Sequence, residues 1–111
     1  SIDPDTLKSV GQGEDPTEQV ERLSLLAKEA GMDGVVCSPL EIQTIRRACG
    51  DEFITMVPGI RPAGSDAGDQ RRTMTPKEAI DNGAHHLVIG RPITKAPDPA
   101  AVASDIIYSL P

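Results

Sequence analysis

Aromatic side chains are nearly missing from this 111-residue chain, which holds one Tyr, one Phe and no Trp. With so few rings for bases to stack on, single-stranded nucleic-acid binding is disfavoured. Positive charge is also scarce: 11 Lys and Arg against 17 Asp and Glu leave a net charge of −6. That balance argues against a nucleic-acid surface and suits a small anionic ligand held by a few local cations. No apolar run reaches membrane length, and no signal-like apolar segment stands near the start. The opening residues, Ser1-Ile2-Asp3-Pro4, include no initiator Met, and the expectation is a chain processed or cut from something longer. Cysteine is limited to Cys37 and Cys49, which make no metal-ligand spacing with His85 or His86. Two buried, reduced thiols in a cytoplasmic protein are expected, and no metal.

Missing, too, are a P-loop, a Ser-His-Asp set and a glycosidase-type pair of carboxylates. The length allows one small domain with a modest core. A complete eight-stranded barrel, which needs about 250 residues, does not fit.

What is present is a regular alternation of helix and strand. Asp15-Pro16-Thr17-Glu18, Ser38-Pro39-Leu40-Glu41 and Thr75-Pro76-Lys77-Glu78 share one grammar: a capping side chain, Pro at the first helical position, then Glu. The cap accepts a hydrogen bond from an orphan amide, and the Glu can reach back to the cap's own N–H. Asp98-Pro99 opens a fourth helix without the Glu. The first helix is expected to bury Val20, Leu23, Leu26, Ala27 and Ala30 and to stop at Gly31. The second presents Leu40, Ile45 and Ala48 and stops at Gly50, and the third ends near Gly83. The last carries Val102, Ile106, Ile107 and Leu110.

Three apolar runs separate these helices: Gly34 to Cys37, Phe53 to Val57 and His86 to Ile89. They are continuous and rich in branched residues, as parallel strands covered on both faces would be. The order reads α-β-α-β-α-β-α, a parallel α/β sheet built by right-handed crossovers. Three strands cannot close a barrel, so the choice lies between a small open sheet and the C-terminal portion of a (β/α)8 barrel. The phosphate-like endings after the last two strands favour the barrel portion. Residues 2–13 read as a loop.

In parallel α/β folds the ligand site is built by the loops that follow the strands. Met56-Val57-Pro58-Gly59-Ile60-Arg61-Pro62 ends the second strand, and Val88-Ile89-Gly90-Arg91-Pro92 ends the third. Gly90 allows close backbone approach, and the Arg91 fork of donors matches a phosphate. Between them lies a polar stretch, residues 63–69, leading to Gln70-Arg71-Arg72. A long polar loop over a binding face suits a lid that excludes water. The blander readings are a surface arginine and a solvated loop. Ser38 faces the same rim, although capping already accounts for it. His85 and His86, being adjacent, point to opposite faces at the far rim. Asp33, Asp51, Glu52 and Asp81 also precede strands, on the wrong side for chemistry.

Taken together, Gly34-Val35-Val36-Cys37-Ser38, Pro58-Gly59-Ile60-Arg61-Pro62, Gly68-Asp69-Gln70-Arg71-Arg72, Thr75-Pro76 and Val88-Ile89-Gly90-Arg91-Pro92-Ile93-Thr94 resemble the bacterial orotidine 5'-phosphate decarboxylase family, in order, across essentially the whole chain. The resemblance implies that residues 1–111 are the C-terminal part of a single TIM-barrel domain. It implies decarboxylation of orotidine 5'-phosphate to UMP in pyrimidine biosynthesis, without metal or organic cofactor, by a cytoplasmic homodimer. Arg61, Gln70, Gly90 and Arg91 match the family's substrate-binding positions, chiefly those on the 5'-phosphate. The family's reactive Lys and Asp array, with its Asp-x-Lys-x-x-Asp motif, is absent from these residues, so no catalytic residue is assigned and the N-terminal half is needed. The competing expectations are a related sugar-phosphate barrel enzyme and a non-catalytic phosphate-binding half-barrel. The segment is expected to fold poorly alone.

Overall fold

Proline in the first turn, preceded by a side chain that can cap, sets where each longer helix begins. The computed structural model describes residues 3–13, 15–65 and 73–111. Its elements run α1 (Pro4–Ser9), α2 (Pro16–Glu29), β1 (Gly34–Val36), a 3-10 turn (Pro39–Glu41), α3 (Ile42–Cys49), β2 (Ile54–Val57), α4 (Pro76–Asp81), β3 (His86–Leu87), α5 (Arg91–Thr94) and α6 (Pro99–Ser109). Asp15 caps α2 by accepting from the Thr17 amide at 2.9 Å, and Asp98 caps α6 through the Ala101 amide at 3.1 Å. At α4 the full reciprocal box forms. Thr75 Oγ1 accepts from Glu78 N at 3.2 Å, and Glu78 Oε2 accepts from Thr75 N at 3.0 Å.

The alternating order of the main elements is as expected, with corrections at both ends. Residues 4–9 are not a loop: Asp3 accepts from the Thr6 amide at 2.8 Å and Pro4 starts a short helix. A second short helix, α5, follows β3 and begins on Arg91 itself. The helix at Ser38 opens as a 3-10 turn before becoming α-helical at Ile42.

The three strands form one parallel sheet in the order β1-β2-β3. Gly34 pairs with Ile54, Val35 with Thr55, and Val36 with Met56, which pairs in turn with His86; Val57 pairs with Leu87. Gly34 is required here, because a β-carbon would run into the Ile54 carbonyl. One face of the sheet carries the core. Cys37, Thr55, Val57 and Phe53 are buried there with Ile42, Ile45 and Cys49 of α3, Ile60, and Ala79 of α4. Val20 and Ala27 of α2 pack on its margin.

Among the described residues nothing covers the opposite face, where Val36, Ile54, Met56 and Val88 are all exposed. Continuous apolar sequence marks strands that can be covered twice, and here all the described helices that pack on the core lie on one side. The predicted inner stripe of α2 is corrected in the same way. Leu23, Leu26 and Ala30 are exposed, while Ser24 is buried and donates to the Val20 carbonyl at 2.7 Å. Leu40 and Ile107 are exposed as well, whereas Ile45 and Ile106 are buried as expected.

Polar side chains tie down the N-terminal ends of the strands. The Thr55 amide donates to His85 Nδ1 at 3.1 Å, and the His85 amide donates to Thr55 Oγ1 at 3.3 Å. An acceptor at Nδ1 puts the ring proton on Nε2, which lies 2.9 Å from the Asp51 carbonyl. Arg46 donates to the Gly83 carbonyl at 3.0 Å and pairs with Asp51 at 3.1 Å. Gly83 has φ +100°, and a β-carbon there would collide with the Arg46 side chain. Both cysteines are buried and free. Burial, then the Glu41 carboxylate, pushes the Cys37 thiol up to about 11. Cys49 is raised too, by burial and by Glu21, against an opposing pull from Lys28.

Two outcomes follow. Gly83→Ala combines a disfavoured backbone with a displaced Arg46, and should lower stability by about 1–3 kcal/mol in urea unfolding. The Cys37 thiol holds its proton more tightly folded than in an unfolded chain, where it titrates near ~8.5. Its contribution is therefore complete below that value and is lost as pH rises towards about 11. Urea midpoints should fall across that alkaline window, and Cys37→Ala should flatten the fall.

Candidate functional site

Parallel pairing places the C-terminal ends of all three strands on one rim, and the residues singled out in the sequence are distributed along it. After β1 come Cys37 and Ser38, whose Oγ accepts from the Leu40 amide at 3.4 Å and so starts the 3-10 turn. Ser38 is half-buried at this mouth. The raised Cys37 thiol stays protonated at neutral pH, which removes it as a nucleophile.

After β2 the chain turns at Gly59, where φ is +74°, a value that favours glycine. Ile60 is then fully buried and forms a parallel bridge with Met74. Arg61 donates its amide to the Met74 carbonyl at 3.0 Å, and its guanidinium Nη1 donates to the Ile60 carbonyl at 2.9 Å. This bridge joins the two feet of the polar loop, and the sequence reading missed it. Its only signal is an apolar residue on each side of the polar stretch, Ile60 immediately before Arg61 and Met74 between Thr73 and Thr75. Residues 66–72 of the loop, with Gln70, Arg71 and Arg72, lie outside the described residues.

After β3 the ladder continues for one more bond, from Val88 N to the Val57 carbonyl at 2.9 Å. Gly90 then caps α5, its carbonyl accepting from Ile93 N at 2.9 Å and from Thr94 N at 3.0 Å. Among the described residues, no atom apart from Gly90's own chain neighbours lies within 4 Å of where its β-carbon would stand, so the backbone is open on that side. Arg91, the first residue of α5, is exposed.

Arg61 and Arg91 correspond closely. Val57 and Leu87 are register partners, and each arginine lies four residues beyond its own member of that pair. Both arginines therefore stand in the segments that follow neighbouring strands at one rim, Arg91 directly after the open Gly90. Such an arrangement can hold a dianion, because guanidinium forks match phosphate oxygens. Among the described residues it offers no acid, base or nucleophile poised for bond breaking. Among the described residues, no three His, Cys, Asp or Glu side chains come together in a way that could hold a metal ion.

A family model described as "Orotidine 5'-phosphate decarboxylase / HUMPS family" matches residues 1–106. The chain is 61% identical over 111 residues to the orotidine 5'-phosphate decarboxylase of Moorella thermoacetica, covering 99% of this chain and 44% of that protein. It is 59% identical over 104 residues to the decarboxylase of Haemophilus ducreyi, covering 94% of this chain and 45% of the relative. Among solved structures it resembles the orotidine 5'-phosphate decarboxylase from Lactobacillus acidophilus with a TM-score of 0.78 and 41% identity, over 96% of this chain and 43% of that one. The chain thus spans less than half the length of the relatives it matches. Its three parallel βα units are the C-terminal portion of a (β/α)8 barrel, as the strand endings suggested. With the family model matching nearly all of its residues, the chain belongs to the orotidine 5'-phosphate decarboxylase / HUMPS family.

Proposed function

We propose that these residues form the phosphate-binding part of an enzyme that decarboxylates orotidine 5'-phosphate to UMP. The observation that carries this reading is the position of Arg61 and Arg91 in the segments that follow the neighbouring parallel strands β2 and β3. Gly90, whose backbone is open, lets the phosphate approach next to Arg91. Gln70 is assigned to the same grip from the loop whose feet are joined by Ile60 and Met74. The naming of the relatives as decarboxylases, at 61% and 59% identity, favours this over another sugar-phosphate barrel.

On this reading the 111 residues are one part of a single barrel domain in a cytoplasmic, homodimeric lyase that uses no metal or organic cofactor. The residues that break the C–C bond lie outside them. The phosphate is remote from the reacting carbon, and its binding energy serves the transition state by fixing the substrate and closing the loop. The charged groups elsewhere in the barrel stabilise the carbanion-like centre electrostatically.

The test is a chimera joining the N-terminal portion of the Moorella thermoacetica decarboxylase to this chain. It should form UMP from orotidine 5'-phosphate. Arg91→Ala should lower kcat/KM for that substrate by roughly 10- to 150-fold, the rate equivalent of ~1.5–3 kcal/mol of hydrogen bonding to a charged group. The same change should barely alter turnover of the nucleoside that lacks phosphate. Equal losses on both substrates would remove the assigned role from Arg91. A folded chimera without activity would overturn the function itself.

A further inference from the structure

Arg61 and Arg91 are held in place by different means. Arg91 opens α5, and the Lys95 amide donates to its carbonyl at 3.0 Å, so a helical turn fixes its backbone. Arg61 lies in no helix and in no strand of the sheet. Three constraints act on it instead. Pro62, next in the chain, confines Arg61 to extended backbone. Ile60, just before it, is fully buried and pins the chain on that side. The third is the bond from the Arg61 amide to the Met74 carbonyl at 3.0 Å, its one backbone bond to a distant segment among the described residues. Because the Arg61 guanidinium donates to the Ile60 carbonyl at 2.9 Å, the direction of the side chain follows that of the backbone.

Met74 is itself anchored away from the rim. Its side chain is half-buried and packs against the buried core cluster. The thioether sulfur accepts from Asn82 Nδ2 at 3.7 Å. Asn82 caps the far end of α4, where its Nδ2 also donates to the Glu78 carbonyl at 2.7 Å. Its Oδ1 accepts from Gln43 Nε2 of α3, also at 2.7 Å. The Met74 side chain is thus seated on the core and on the end of α4, while its backbone presents a carbonyl to Arg61.

We propose that Met74 is a positioning residue for the phosphate site: its seated side chain holds its carbonyl where that carbonyl fixes Arg61. This role rests on the proposed function, which supplies the ligand. Met74 touches no substrate and acts only through Arg61. Shortening its side chain keeps the carbonyl in the chain but loosens the segment that carries it, so the Arg61 amide loses a steady partner. A guanidinium whose backbone wanders is no longer a well-aimed donor for a phosphate oxygen. Leucine matches methionine in volume and so preserves the seat.

The experiment uses the chimera with the N-terminal portion of the Moorella thermoacetica decarboxylase. Met74→Ala should lower kcat/KM for orotidine 5'-phosphate by about tenfold, the scale of a misplaced binding group. Turnover of the nucleoside that lacks phosphate should change by less than about twofold, and Met74→Leu should restore the loss. In an Arg61→Ala background the further cost of Met74→Ala should fall below about twofold, because the group it positions is gone. Deuterium exchange of the Arg61 amide, followed by NMR, should be about tenfold faster in Met74→Ala, while the Val88 amide bonded to Val57 keeps its protection. If Met74→Ala does not fold, Met74→Val is read in the same way. Equal losses on both substrates, an undiminished cost in the Arg61→Ala background, a Met74→Leu variant as poor as Met74→Ala, or an unchanged Arg61 amide would each overturn the proposal. If the unsubstituted chimera folds but forms no UMP, the proposed function fails, and exchange at the Arg61 amide alone then decides whether Met74 holds it.

Discussion

Everything described depends on parallel pairing in a fixed register. A parallel sheet forces each connection back across one side, and here the connections that pack on the core lie over the Cys37, Thr55 and Val57 face. The same constraint gathers every strand exit onto one rim. The rim acquires Arg61 and Arg91 because two neighbouring strands end in step.

The two rims are built by different means. At the C-terminal rim, backbone turns and glycine do the positioning: the left-handed Gly59, the Ile60–Met74 bridge and the open Gly90. At the N-terminal rim, side chains bond to backbone, through His85, Arg46 and Thr55. The chemistry suits each place. In parallel α/β folds ligands are met at the C-terminal rim, so the opposite rim can spend its polar groups on the fold itself.

Much of this was legible in the sequence. The capping residue followed by Pro located α2, the turn into α3, α4 and α6, because proline's fixed φ and missing N–H suit only the first turn. The branched apolar runs located the strands. Gly90-Arg91 and Gly59-Ile60-Arg61 located the rim because cations and glycines follow apolar runs there. What escaped notice was short or depended on packing. The helices α1 and α5 span too few residues to show an apolar period, and the resemblance to a loop with Pro prevailed. The stripe on α2 was visible as a pattern, yet Leu23 and Leu26 are exposed and Ser24 is buried. Periodicity identifies a surface that can be covered, and only the neighbouring elements decide whether it is.

The imidazole of His85 stands in for backbone. The Thr55 amide, at the start of the β2–β3 seam, is satisfied by a ring nitrogen instead of a strand carbonyl, and the other ring nitrogen meets the Asp51 carbonyl. Natural variation at this position is thereby confined by geometry more than by polarity. Residues able to present an acceptor at the same short reach, Asp and Asn above all, are compatible with the seam. Aliphatic replacements would leave the Thr55 amide buried and unanswered, so relatives that diverge widely in β3 should still keep an acceptor just before it.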